Sequence, residues 1–237
     1  MAVVDDIQAL AVRANGDLDD LHDFGAHIHV MWARFKLWVQ AGNTLQSRNK
    51  KTASVVSERD LIKSYTRYRT RYLQAFSFVQ LSTVLEAFLF DFLRLLLTNE
   101  PRHLAQKKQI EVSVALSAVD REALVLIIAE RELNELKYDR PKAWFDYMNR
   151  IIRLGCPTED EVERIAEMKA ARDLLIHNSG IVNRTYLDKA GAKARYAAGE
   201  QVVIDQQYFD ECWLLAKKLV GEIPTKAMHR LSRSASR

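Results

Sequence analysis

Arg172 and His177 are the residues of this chain best suited to chemistry. They stand in the run Arg172-Asp173-Leu174-Leu175-Ile176-His177-Asn178, at the end of a segment with strong helical character. An arginine carries a permanent charge and a planar fork of donors that matches a phosphate group. An imidazole titrates near neutral pH and serves as base or acid. Metal-free phosphodiester cleavage needs a base for the attacking hydroxyl, a cation for the charge that builds on phosphorus, and an acid for the leaving oxygen. The pair supplies the cation and a proton-transfer group.

The spacing constrains how they could act. At about 100° per residue, positions five apart lie about 140° apart around an ideal helix. One straight helix does not easily aim both at one phosphate, and a second copy of the chain relieves the mismatch. Asp173 stands four residues before His177 and shares its face, so it is a candidate to orient the imidazole. Asn178 is a candidate donor to a phosphate oxygen. The plain alternative is a solvated Arg–Asp face and a histidine that merely ends a helix.

Arg-Asp-x-x-x-His with its flanking segments resembles the Arg-x4–6-His signature of the HEPN superfamily. Phe78 to Leu89 is similar to the first core helix of that family, where a Leu-Glu-Ala-Phe-Leu segment carries an acid, here Glu86. Ala143-Trp144-Phe145-Asp146-Tyr147 with Leu154-Gly155 resembles the stretch before the motif helix. Glu167 to His177 resembles that helix, and Gly180 to Leu187, then Gly199 to Ile204 and a closing helix, resemble the family's ending. The resemblance covers about residues 56–224 and is nearest the RiboL-PSP and abortive-infection members.

The resemblance implies an all-α HEPN-type bundle acting as a homodimeric, metal-independent endoribonuclease on an RNA substrate. It implies 2′,3′-cyclic phosphate and 5′-hydroxyl ends, and a setting as toxin or antiviral defence effector under an antitoxin or regulatory protein. Arg172 and His177 would be catalytic, with Asp173, Asn178 and Glu86 in support, and Glu86 would hold Arg172. A branch of the family carries Tyr two residues after the His, the target of a partner nucleotidyltransferase; Ser179 stands here instead. Two other readings remain: a non-catalytic module that binds RNA or a protein partner, and a structural helical protein that carries the motif by chance.

Other candidates are weaker. His22, His27 and His29 lack the spacing of a metal site, and packing explains them better. Neither a metal nor another cofactor is expected. In Tyr65 to Tyr72 aromatics alternate with Arg67, Arg69 and Arg71; the tyrosines are expected to face the core and the arginines solvent, although such an alternation can also stack on bases. A carboxylate in as apolar a helix as that around Glu86 needs a partner.

The elements around these residues read as helices. Eight Gly and four Pro in 237 residues leave few tight turns. Residues 1–55 read as a helical extension and linker, polar over 42–54. Ser57 caps a helix that runs to about Thr98, apolar nearly all round in its second half and therefore central. Further helices are expected over 120–137, over 142–153 with Gly155 as its stop, and from Thr158, which with Glu161 forms a capping box, to Asn178. Asn178 and Gly180 are expected to end that helix with positive φ. Asp205 opens a last helix that Pro224 closes, leaving 225–237 as a disordered basic tail. Lys226, Arg230, Arg233 and Arg237 equal the whole net charge of +4, so residues 1–224 are formally neutral. A pI near 9 is thus no sign of a broadly basic body. Cys156 and Cys212 are too few for a disulfide framework, and a reducing cytoplasm is the expected compartment. Leu73 to Leu97 is interrupted by Glu86, Asp91 and Arg94, so no membrane span or membrane partner is expected.

Overall fold

The fold is all-α. The computed structural model describes residues 2–43, 47–48, 55–104 and 110–235. Helix α1 spans Ala2–Gln40. Ile7, Leu10, Ala14 and Leu18 recur at three or four residues, and that stripe is buried in the same core as the central helix. Arg13 pairs with Asp91 at 3.1 Å, and the Trp213 indole N–H donates to the Leu18 carbonyl at 3.0 Å. The second half of α1 leaves that core. Trp32 there stacks on Tyr65 with ring centroids 4.0 Å apart. His22 stacks on Trp213, in keeping with a packing role.

Two-residue strands Ser47–Arg48 and Val55–Val56 pair antiparallel within the segment read as linker. Helix α2 (Glu58–Tyr68) starts where Ser57 Oγ accepts from the Asp60 N–H. It passes through a π-helical turn at Arg69–Leu73 into α3 (Gln74–Asn99), so the expected single helix carries a bulge at its middle. From Phe78 to Leu97, α3 is buried on most sides and forms the centre of the core. The tyrosines before it do not join that core. Tyr68 and Tyr72 are 49% and 44% exposed, with Arg67 and Arg71 lying over their rings. The stretch from Glu58 to Tyr68 has no buried residue, so no core is there for the tyrosines to face.

Helix α4 (Val112–Ser117) is short, and α5 (Arg121–Lys137) is capped by Asp120, whose carboxylate accepts from the Ala123 N–H at 2.7 Å. Helix α6 (Pro141–Ile151) ends at Ile152, which is extended, so Gly155 is not its stop. Gly155, at φ +68, lies in the loop toward the next helix. Helix α7 (Glu159–His177) opens with the reciprocal Thr158–Glu161 capping box. At its end Asn178 has φ −132, and Ser179 and Gly180 take the left-handed conformation instead. The N–H groups of Asn178 and Gly180 both donate to the Leu174 carbonyl at 2.9 Å. Helix α8 (Arg184–Ala190) and an isolated bridge between Ile181 and Gln201 follow.

Helix α9 (Gln206–Ala235) runs straight through Pro224, so residues 225–235 are helical and not a disordered tail. Proline removes one N–H and obstructs the preceding turn. The carbonyl left without that N–H is the one four residues back, at Val220; the Thr225 hydroxyl donates to the next carbonyl, Gly221, at 2.7 Å. Ile223 and Ala227 are fully buried on either side, so tertiary packing holds the helix across the break. No helix among the described residues is long and apolar enough to cross a membrane.

Candidate functional site

The motif helix α7 is fixed at its middle by a buried carboxylate. Glu167 is 4% exposed, and the hydroxyls of Tyr186 and Tyr208 donate to it at 2.8 and 2.5 Å. Burial pushes the Glu167 carboxyl up, against the lowering effect of the two hydroxyls. The same burial pushes both phenols up beyond their ordinary range. Tyr186 also accepts from the Arg195 N–H at 3.0 Å, so α7, α8, the following loop and α9 meet at one point. The sequence reading missed this cluster, because Tyr186 and Tyr208 are 19 and 41 residues from Glu167. A buried carboxylate inside a helix was its only local signal.

A second set of contacts fixes the junction of α5 and α6. The Trp144 indole N–H donates to the Leu136 carbonyl at 2.8 Å, and the Tyr147 hydroxyl donates to Glu132 at 2.7 Å. This holds Lys137, Tyr138 and Arg140 beside α7. The result is a cleft of about 650 Å³ between the α5–α6 junction, α7 and α8. Arg172 and His177 both line it. Both therefore border the same recess within one chain.

The cleft is cationic. Lys137, Arg140, Lys169, Arg172 and Lys189 face it, against Asp139 and Asp173. Arg172 Nη1 lies 3.2 Å from Asp173 Oδ1, and Lys189 lies 3.2 Å from the other oxygen of the same carboxylate. Arg172 Nε is buried and has no hydrogen-bond partner, so the protein does not use the whole guanidinium. His177 is exposed at the helix end and hydrogen-bonds to no described residue.

Three supporting roles differ from the sequence reading. Asp173 makes no hydrogen bond to His177; its two oxygens face Arg172 and Lys189. Asn178 uses its amide N–H on the Ile181 carbonyl, where it holds the turn after α7. Glu86 reaches the motif helix but pairs with Lys169 at 3.7 Å, not with Arg172. Lys169 is one turn earlier on α7, and its ammonium also lies over the Trp144 ring at 5.1 Å. The Glu86 oxygen that faces Lys169 has no hydrogen bond, so this contact is Coulombic.

Among the described residues no three His, Cys, Asp or Glu side chains converge as a metal site requires. Cys156 and Cys212 are buried, free thiols, both pushed up by burial, Cys212 to about 12, which makes them poor nucleophiles. No protein-family model matches this chain, and no curated protein and no solved structure is significantly similar to it.

Proposed function

We propose that this protein is a metal-independent endoribonuclease whose reaction centre is the cleft shared by Arg172 and His177. The observation that carries the reading is that sharing: the two motif residues line one cationic cleft with Lys169 of the same helix, Lys137 and Arg140 of the α5–α6 junction, and Lys189 of α8. Five permanent cations around a recess suit an anionic ligand, and the exposed imidazole at its edge can move a proton.

In the proposed reaction His177 takes the proton of a ribose 2′-hydroxyl, and the 2′-oxygen attacks the adjacent phosphorus. Arg172, with Lys189 beside it, stabilises the charge that develops on the phosphorane oxygens. The bond to the 5′-oxygen breaks, leaving a 2′,3′-cyclic phosphate and a 5′-hydroxyl. The proton for the departing oxygen comes from the His177 of a second copy, in the homodimer that the HEPN resemblance implies. A toxin or defence role, with a protein antitoxin or regulator, also follows from that resemblance.

The test is cleavage of a labelled single-stranded RNA by the purified chain, with identification of the product ends. Cyclic phosphate ends that vanish with Arg172→Ala and with His177→Ala support the reading. Cleavage that survives both substitutions, or binding of RNA without any cleavage, refutes it; binding alone would favour a non-catalytic module.

A further inference from the structure

Five cations face a second recess, away from the Arg172–His177 cleft. A groove of about 870 Å³ lies between the end of α3, the C-terminal end of α6 and the last turns of α9. Arg102, Arg153, Lys226, Arg230 and Arg233 face it, against Glu100 as the one carboxylate among the described residues that line it. That carboxylate is taken by Arg102 at 2.9 Å. Lys226 is engaged by Glu222. Arg153 and Arg233 form no ion pair or hydrogen bond with any described residue. His103 and His229 add two imidazoles to the walls, and Leu96, Ile152 and Leu154 form an apolar floor.

This groove exists because α9 does not stop at Pro224. The three turns beyond the proline carry Lys226, His229, Arg230 and Arg233 along one wall. The buried Ile223 and Ala227 hold those turns against the body. Holding several like charges in one recess costs energy through mutual repulsion, which a bound polyanion would relieve.

We propose that this groove binds the phosphodiester backbone of single-stranded RNA, as an anchoring site separate from the cleft. The cations suit phosphates, while the apolar floor and the two imidazole rings suit base faces. A recess also fits a strand better than it fits the flat surface of a membrane. Helix α6 joins the two sites, with Pro141 at the cleft and Ile151 at the groove. Its 11 residues span about 16 Å, so a short RNA is long enough to touch both. The inference rests on the proposed function only in naming RNA as the polyanion.

The experiment is fluorescence anisotropy with a labelled single-stranded RNA and full-length His177→Ala protein, so that binding is read apart from cleavage. Arg153→Ala/Arg233→Ala is added to that background and compared with Arg59→Ala/Arg121→Ala, two exposed cations outside both recesses. The groove variant should bind about tenfold or more weakly, since charged hydrogen bonds to phosphate are lost. The slope of log affinity against log salt should fall in magnitude by about 1.4, as two phosphate contacts on a single strand require. The control pair should change neither. Equal losses in both variants mean diffuse attraction and overturn the proposal. So does unchanged binding, no RNA binding at all, or a groove variant that loses only binding to phosphatidylserine vesicles. Groove-dependent binding with a wild-type chain that never cleaves RNA would refute the endonuclease reading and leave this one standing.

Discussion

Glu86 Oε1 lies 3.7 Å from Lys169 Nζ, so the carboxylate of the central helix pairs with the helix that carries Arg172 and His177. The two side chains are 24% and 16% exposed, and no hydrogen bond supplements the attraction. Glu86 is thereby a positioning residue for α7 through a neighbour of the motif, not through Arg172 itself.

Glu86→Ala should therefore destabilise the fold by about 1–2 kcal/mol. Removing one partner of a fully buried pair costs roughly 3–5 kcal/mol, and exposed pairs contribute about 0–1. This pair lies between those limits. Urea denaturation of Glu86→Ala, Lys169→Ala and the double variant checks it. A double variant no less stable than either single one is expected, because the second deletion removes the stranded charge. Single variants indistinguishable from wild type would remove Glu86 from the account.

The buried Glu167 gives a pH dependence with a definite sign. Its folded carboxyl is raised above the ordinary glutamate value by burial. The folded state then holds a proton that the unfolded state has already released, so stability falls as pH rises from the ordinary value through the folded one. Glu167→Gln should flatten that fall while keeping an acceptor for the tyrosine hydroxyls. Glu167→Ala should instead lose about 2–4 kcal/mol, since two buried hydroxyl donors lose their acceptor. Denaturation midpoints measured from pH 4 upward check both. A wild-type midpoint that rises with pH across this window, with the rise lost in Glu167→Gln, would reverse the assigned sign.

The end of the motif helix depends on Gly180. Its φ is +74, and an added Cβ would sit 2.4 Å from the Gln201 amide nitrogen, which donates to the Ser179 carbonyl at 3.1 Å. Gly180→Ala should cost about 1–2 kcal/mol from the left-handed backbone alone. For a chain of this size that lowers Tm by roughly 2–8 °C. Shortening the obstructing side chain in Gly180→Ala/Gln201→Ala should recover only the steric part. A Tm unchanged by Gly180→Ala would show that the turn after His177 is not built as described.

Local rules made much of the helical frame legible in the sequence. Ser57, Asp120, Thr158 and Asp205 each precede a helix and each accept from its first turn, and those contacts act within three residues. Pro224 misled because its local effect is to break a helix. The burial of Ile223 and Ala227, which overrides it, depends on distant partners. The tyrosines before α3 misled for the converse reason: periodicity marks a face but does not supply a core opposite it. For the candidate site, the sequence named Arg172 and His177 but not Lys137, Arg140, Lys169 or Lys189. These come together only when the α5–α6 junction and α8 fold against α7. Ion-pair choice was equally hidden, since Asp173 has a near neighbour in His177 but closes on Arg172 and Lys189.

The most direct test of the central claim is the rate of cleavage of a single-stranded RNA in excess EDTA by wild type and by His177→Ala, with dimer and fold monitored in parallel. The account predicts cleavage by wild type that is undiminished by the chelator. It predicts a loss of about 10²–10⁴ in rate for His177→Ala, the usual contribution of a general acid–base group. The variant should keep wild-type stability, because His177 is exposed at a helix end. Cleavage abolished by EDTA and restored by a divalent metal, or a folded His177→Ala that cleaves at the wild-type rate, would contradict it.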